Sequence, residues 1–256
     1  MSEIHGRFIW YELMTTDRAA ARQFYTAVVG WQHQESQLPG LQYDMLSADG
    51  TAVAGMMDQP EDVRRMGAPP SWIGYVAVDD VDAAAAKVTA TGGTVHVPPR
   101  DIPQVGRFAI MADPQGAVLG LLKAANPDQG PRPQEPGAGR VGWHELYAAD
   151  QAAVFDFYAG LFGWQKKDAM DMGPMGTYQI FGLAEQTLGG MMNKPPEVPV
   201  PNWHYYFGVS SVDAAIERVR AAGGQLLLGP QEVPGGAFIA MGLDPQGGHF
   251  ALLGGR

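Results

Sequence analysis

The chain repeats itself, and no other feature constrains its fold so tightly. The stretch FYTAVVGWQ, residues 24 to 32, returns as FYAGLFGWQ at 157 to 165, an offset of 133 (157 − 24). WYELMTTD (10–17) precedes the first and WHELYAAD (143–150) the second at the same distance. GMM recurs at 55–57 and 190–192, GG at 92–93 and 223–224, and DPQG at 113–116 and 244–247. The offset stays between 131 (244 − 113) and 135 (190 − 55), so the whole chain is a duplication. A repeat of that size fixes the architecture before any local reading.

The 256 residues therefore divide into an N-terminal domain, 1–125, and a C-terminal domain, 140–256. Each is large enough to bury its own core. Between them NPDQGPRPQEPGAG (126–139) reads as a stiff Pro- and Gly-rich linker with nothing to anchor a core. Inside each copy a short apolar strand (8–14; 141–147) runs into a helix capped by Asp17 or Asp150. Ala21, Phe24, Tyr25 and Val28 fall at i, i+3, i+4 and i+7, as do Val154, Phe157, Tyr158 and Leu161, giving one helical face against a sheet. Gly30 and Gly163 stand where a helix exit favours a left-handed residue. Three short strands follow, through LQYDMLS and TAVAGMM in copy one. The cycle then restarts with strands 72–78 and 203–209, helices within 81–93 and 212–224, and three more strands. DPQG supplies the turn before the last. The expected fold is α+β, with two βαβββ modules per copy and four in all. Each sheet has one face on helix, and paired modules curve their bare faces into a trough.

The series W-x-E-L-x-x-x-D, F-Y-x-x-x-x-G-W, G-G and D-P-Q-G, present twice, resembles the vicinal oxygen chelate superfamily. That is the fold of glyoxalase I, bleomycin-resistance proteins and extradiol dioxygenases, and the tandem-domain glyoxalase-like subgroup is the nearest in pattern. The resemblance implies a divalent metal, Fe, Mn, Ni or Zn, held in the trough by His, Glu or Gln to polarise vicinal oxygens of a substrate. By that alignment the first-strand ligand position falls on Trp10 and Trp143, the next on Ile73 and His204, and the last-strand position on Gly120 and Ala251. Copy one has no ligand at these places and copy two only His204.

Strand alternation offers copy two a substitute, since Trp143, Glu145 and Tyr147 share a face, as do His204 with Tyr206 and His249 with Ala251. Glu145, His204 and His249 form the candidate catalytic set, suited to a facial metal site or to a general base with orienting partners. Plainer roles stand beside it. His204 suits a hydrogen-bonded core histidine, and His249 a rim position beside a glycine pair. Glu145 suits a structural role, because Glu12 is its twin where copy one offers only Ile73 and Val118 in place of the histidines. Trp10, Glu12, Tyr75, Trp143, Tyr147 and Tyr206 are the candidate substrate-binding residues, aromatic walls for an apolar pocket or else core filling. Trp31 and Trp164 pack helix on sheet, His144 points away from Glu145, and Met56, Met57, Met191 and Met192 are adaptable apolar filler.

Two functions follow. One is an enzyme of glyoxalase or dioxygenase type, a lyase, isomerase or oxidoreductase, with one divalent metal in the C-terminal domain. The other is a metal-free protein that sequesters an apolar or aromatic compound in the manner of bleomycin-resistance proteins. The exchanged ligands argue for no metal. Net charge is −10, from 27 acidic and 17 basic residues, which disfavours nucleic acid and anionic membranes and leaves a small molecule as partner. There is no cysteine, which excludes disulfides, thiolate metal sites and cysteine nucleophiles. Without a signal-like start or an apolar run near ~20 residues, a cytoplasmic location is expected. The assembly expected is a monomer acting as a fused pseudo-dimer, or a homodimer.

Overall fold

The computed structural model describes residues 2–36, 42–126 and 130–256, so Leu41 of the expected second strand and 127–129 of the linker lie outside the described residues. Copy one runs β1 (Phe8–Thr15), α1 (Arg18–Val29), β2 (Gln32–Glu35), β3 (Tyr43–Ala48), β4 (Thr51–Asp58), α2 (Glu61–Arg65), β5 (Ser71–Ala77), α3 (Val81–Ala90), β6 (Thr94–Ile102), β7 (Gly106–Ala112) and β8 (Val118–Ala124). Copy two repeats it as β9 (Val141–Ala148), α4 (Gln151–Phe162), β10 (Gln165–Asp171), β11 (Thr177–Leu183), β12 (Gln186–Asn193), β13 (Asn202–Ser211), α5 (Val212–Ala221), β14 (Gln225–Glu232), β15 (Phe238–Leu243) and β16 (His249–Gly255). Each copy gives one eight-stranded sheet, ordered β2-β3-β4-β1-β5-β8-β7-β6 and β10-β11-β12-β9-β13-β16-β15-β14. The identical order is the structural counterpart of the repeated words, and the fold is α+β. No helix among the described residues is long and apolar enough to cross a membrane.

Local chemistry sets the helix ends. Asp17 is extended at φ −143°, and its carboxylate accepts from Ala20 N at 3.0 Å; Asp150 does the same for Ala153 N. Gly30 and Gly163 close α1 and α4 at φ 88° and 75°, a left-handed region that a Cβ disfavours. The expected face of α1, Ala21, Phe24, Tyr25 and Val28, is buried, and so is that of α4. The five-residue α2 had no periodic signature and was not expected from sequence.

The chain forms two compact units, each assembled from both copies. Unit one holds Met1–Trp10, Gly74–Pro133 and His144–Trp203; unit two holds Tyr11–Ile73, Gln134–Trp143 and His204–Arg256. In unit two, Tyr25 of α1 lies buried among Trp31, Trp72 and Phe207. Its hydroxyl donates to Asp244 Oδ2 at 2.9 Å and accepts from Trp72 Nε1 at 2.9 Å. Unit one repeats the relay, with Tyr158 donating to Asp113 Oδ2 at 2.7 Å and accepting from Trp203 Nε1 at 3.1 Å. The same aspartates hold their own turns. Asp244 accepts from Gln246 N and Gly248 N, and Asp113 from Gln115 N and Ala117 N. DPQG is therefore a core contact as well as a turn.

The linker also differs from expectation at its C-terminal end. Trp31 Nε1 donates to Gly139 O at 2.7 Å, and Gly139 N donates to Gly208 O at 2.8 Å. A Cβ at Gly208 would lie 2.0 Å from Gly137 O, so only glycine admits that approach. Backbone groups do the anchoring, which side-chain composition could not reveal.

Tyr25→Phe should destabilise the protein by roughly 2–4 kcal/mol in urea unfolding, because it removes the Tyr25 partner of Asp244 Oδ2 and of the Trp72 indole N–H. Tyr158→Phe should cost a similar amount. A loss under ~0.5 kcal/mol in both would show that the relay is not a principal support.

Candidate functional site

On β9 burial does not simply alternate, because Glu145 is buried along with its neighbours. His144, Leu146 and Ala148 are buried, while Trp143 and Tyr147 of the opposite set are only partly covered. His144 stacks on Phe8 within unit one, with ring centroids 3.9 Å apart and planes 11° apart, and donates from Nδ1 to Leu188 O at 2.6 Å. Burial holds its pKa down to about 4. Glu145, at 7 % exposure, hydrogen-bonds the phenol of Tyr147 two residues on. Burial and the neighbouring carboxylate push that phenol well above its ordinary range.

Glu145 pairs in register with Gly190 of β12. A Cβ on Gly190 would sit 2.1 Å from Tyr178 Cε1, so the tyrosine ring covers the bare backbone beside the glutamate. In unit two the twin is built alike. Glu12 pairs with Gly55, and a Cβ there would lie 1.9 Å from the Tyr43 hydroxyl oxygen. The two glutamates thus share a ring-covered glycine neighbour, although Glu12 is half-buried and has Met14 where Glu145 has Tyr147.

The position matching the last-strand ligand is Gly120 in copy one, in register with Tyr75. A Cβ there would lie 2.2 Å from Tyr75 Cδ1. In copy two it is Ala251, fully buried and in register with Tyr206. The Tyr206 hydroxyl reaches Met241 Sδ at 3.7 Å, and Trp143, Ile239 and Leu253 pack on the same cluster. Trp143 and Tyr206 therefore share a face, and His204, two residues before Tyr206, shares it too. The sequence reading missed Tyr43, Tyr178 and Met241; the isolated glycines within apolar strands were the available signal for the first two.

His204 is buried at 5 % exposure, and its ring lies 6.2 Å from that of His249 at 73°. Burial first, and His249 second, push His204 down to about 3. His249 stands at the exposed start of β16; partial burial lowers its pKa and Asp244 works against that. Of the remaining expected residues, Trp10 and Tyr75 are buried in unit one and Glu12 is half-buried in unit two. Two clefts lie elsewhere in unit two. One, of about 380 Å³, is lined by Arg18, Arg22 and buried Asp44 among others, and one of about 490 Å³ by Phe24, Arg218 and Pro245 among others. Neither is lined by the candidate catalytic or substrate-binding residues.

These residues do not fit the metal of the expected family chemistry. Trp10 and Trp143 offer no donor for it, and rings occupy the space that a side chain at Gly120 would need. Among the described residues no group of three or more His, Asp or Glu is placed to hold an ion.

Gly120→Ala should destabilise by roughly 1–3 kcal/mol through its clash with Tyr75. In a Tyr75→Ala background the same change should cost much less, a coupling readable in a double-mutant cycle. Acid should also weaken the fold. His144 and His204 bind their protons at about 4 and 3 when folded, against 6.5 unperturbed. Between those values the unfolded chain holds protons that the folded chain refuses, so stability rises with pH. Above pH ~7 the contribution is complete, and on acidification it falls by up to ~1.4 kcal/mol per pH unit per histidine. His144→Gln should reduce that slope in urea midpoints measured from pH 4.5 to 7.5.

The model of the Glyoxalase/Bleomycin resistance protein/Dioxygenase superfamily matches residues 7–121 and 140–252. "Putative glyoxylase CFP32" of Mycobacterium tuberculosis is 36 % identical over 247 residues, covering 95 % of this chain and 93 % of that protein. "Anthracycline biosynthesis protein DnrV" of Streptomyces peucetius is 30 % identical over 260 residues, covering 97 % and 93 %. The Mn(II)-bound glyoxalase from Novosphingobium aromaticivorans shares the fold at TM-score 0.65 and 19 % identity, over 97 % of this chain and 81 % of that one. With both matched segments coinciding with the two copies of the repeat, the chain belongs to the Glyoxalase/Bleomycin resistance protein/Dioxygenase superfamily.

Proposed function

We propose that the protein binds or acts on a small planar apolar or aromatic molecule without a resident metal, on the face that β13, β15 and β16 present beside Trp143 in unit two. One observation carries this reading: of the three positions in copy two that match the family's metal donors, two hold Trp143 and Ala251, the latter in register with Tyr206, and only His204 remains a donor. An aromatic wall with few polar groups binds by dispersion and burial of ring surface, and needs no ion to do so. Trp143 is only partly covered where it packs on the Tyr206 cluster, and His249 is exposed on the same face. The relative named for anthracycline biosynthesis adds support, since anthracyclines carry a fused planar ring system. Net charge of −10 favours a neutral partner over a polyanion.

Titration with an anthraquinone, followed by tryptophan fluorescence with and without EDTA, tests it. Equal affinity in both samples is expected. Trp143→Ala should weaken binding by about tenfold, roughly 1.4 kcal/mol. Binding that appears only after a divalent metal is added, and vanishes in chelator, would sink the proposal.

A further inference from the structure

In the cleft of about 380 Å³ in unit two, opposite charges meet without hydrogen-bonding. Asp44 follows Tyr43 on β3, so it points away from the ring-covered Gly55 and toward α1. It lines the cleft with no exposed surface, and among the described residues neither carboxylate oxygen receives a hydrogen bond. Arg18 and Arg22, one turn apart on α1, stand 3.5 and 3.6 Å from it; Arg18 is 3.8 Å from Asp58 and Arg22 3.9 Å from Glu35. Charge-assisted hydrogen bonds close to about 2.7–2.9 Å, so these contacts balance charge and leave donors and lone pairs unused. Copy two shows that folding does not need them, since the same places hold Gln151, Phe155, Gln179 and Asn193. There Gln179 Nε2 donates to Asp168 O and Ile180 O, Gln151 N donates to Asn193 Oδ1, and the Phe155 ring is buried. A buried carboxylate without hydrogen bonds is costly, and at this place only copy one bears it. We infer that the cleft binds a small zwitterion of the amino-acid class, its ammonium donating to Asp44 and its carboxylate accepting from Arg18 and Arg22.

Charge selects the class. Asp17, Glu35, Asp44 and Asp58 face Arg18 and Arg22 around the cleft, a net of −2 (2 − 4), which opposes a simple anion. A simple cation would be repelled by two guanidiniums already set against the same carboxylate. A molecule of both signs brings N–H donors to oxygens that lack them and acceptor oxygens to the guanidinium N–H groups. The first turn of α1, Arg18 and Ala19, borders the cleft as well, and a helix N-terminus favours the carboxylate end. The arginine side chains are 18 % and 27 % exposed, so they line the route from solvent to Asp44. A divalent metal fits less well, because among the described residues no three acidic or imidazole groups are placed to hold one. The cleft shares no residue with the aromatic face proposed above, so the two readings stand or fall separately.

L-Alanine, ethylamine and propionate test this as the zwitterion and its two single-charge fragments, titrated at millimolar concentration into the full chain and followed by backbone amide NMR shifts. L-Alanine should bind about tenfold tighter than either fragment, with shifts centred on the first turns of α1 and on Asp44. Asp44→Asn should abolish its binding. Arg18→Gln/Arg22→Phe/Asp44→Gln, which installs the residues of copy two, should abolish it too while urea unfolding stays cooperative. Ethylamine binding as tightly as L-alanine would overturn the inference in favour of a plain cation site, and propionate doing so in favour of an anion site. No shift with any probe would leave a solvated ion-pair cluster and no site. L-Alanine binding that survives in the triple variant would place the ligand elsewhere and sink the assignment.

Discussion

A phenol shared between a buried carboxylate and an indole is the contact on which the rest of each unit depends. Tyr25 links α1 to the turn at Asp244, more than 200 residues away, since the two stand 219 apart. That carboxylate also accepts Gly248 N, so the backbone entering β16 is held at the same point. His249 is the next residue. Burial raises the Asp244 pKa, and the turn amides and the Tyr25 phenol offset this by hydrogen-bonding its charged form. In unit one, Asp113 receives Tyr158 and holds the turn before β8, which carries Gly120. The position of the candidate face thus follows from a core contact whose partners are invisible to each other in sequence.

The duplication separates what the fold needs from what one copy has been given. Caps, left-handed glycines, the tyrosine–aspartate–tryptophan relay and the covered glycines beside Glu12 and Glu145 occur twice, and each has a structural account. His204 and His249 occur once. The same logic lowers the standing of Glu145 as a catalytic group, because a residue kept in both copies, beside the same ring-covered glycine, needs no reaction to explain it. His204, buried in copy two where copy one has Ile73, carries a desolvation cost that the aliphatic side chain does not.

Much of the fold was legible because it is written in local terms. Period-3.6 burial on α1 and α4, aspartate caps and helix-ending glycines need only neighbouring residues to act. What stayed hidden was long-range. Nothing in the pattern of α1 states that Tyr25 meets Asp244, or that each compact unit draws modules from both copies. The indoles of Trp31 and Trp164 were expected to pack, and they do, but their bonds to Gly139 O and Gly6 O depend on backbone brought from elsewhere. The candidate face was half legible: alternation placed Trp143, Tyr206 and His204 together, whereas Met241 entered only through the pairing of β15 with β16.

Superfamily membership does not by itself assign a metal, and the packing at two matching positions leaves little room for a donor. A donor at position 120 must project from a backbone whose Cβ direction is filled by the Tyr75 ring. At position 251 the residue is in register with Tyr206 and has no exposed surface. Regaining an ion would need new side chains and also the removal of rings that stabilise the sheet through contact. Changes coupled in that way are not undone one residue at a time.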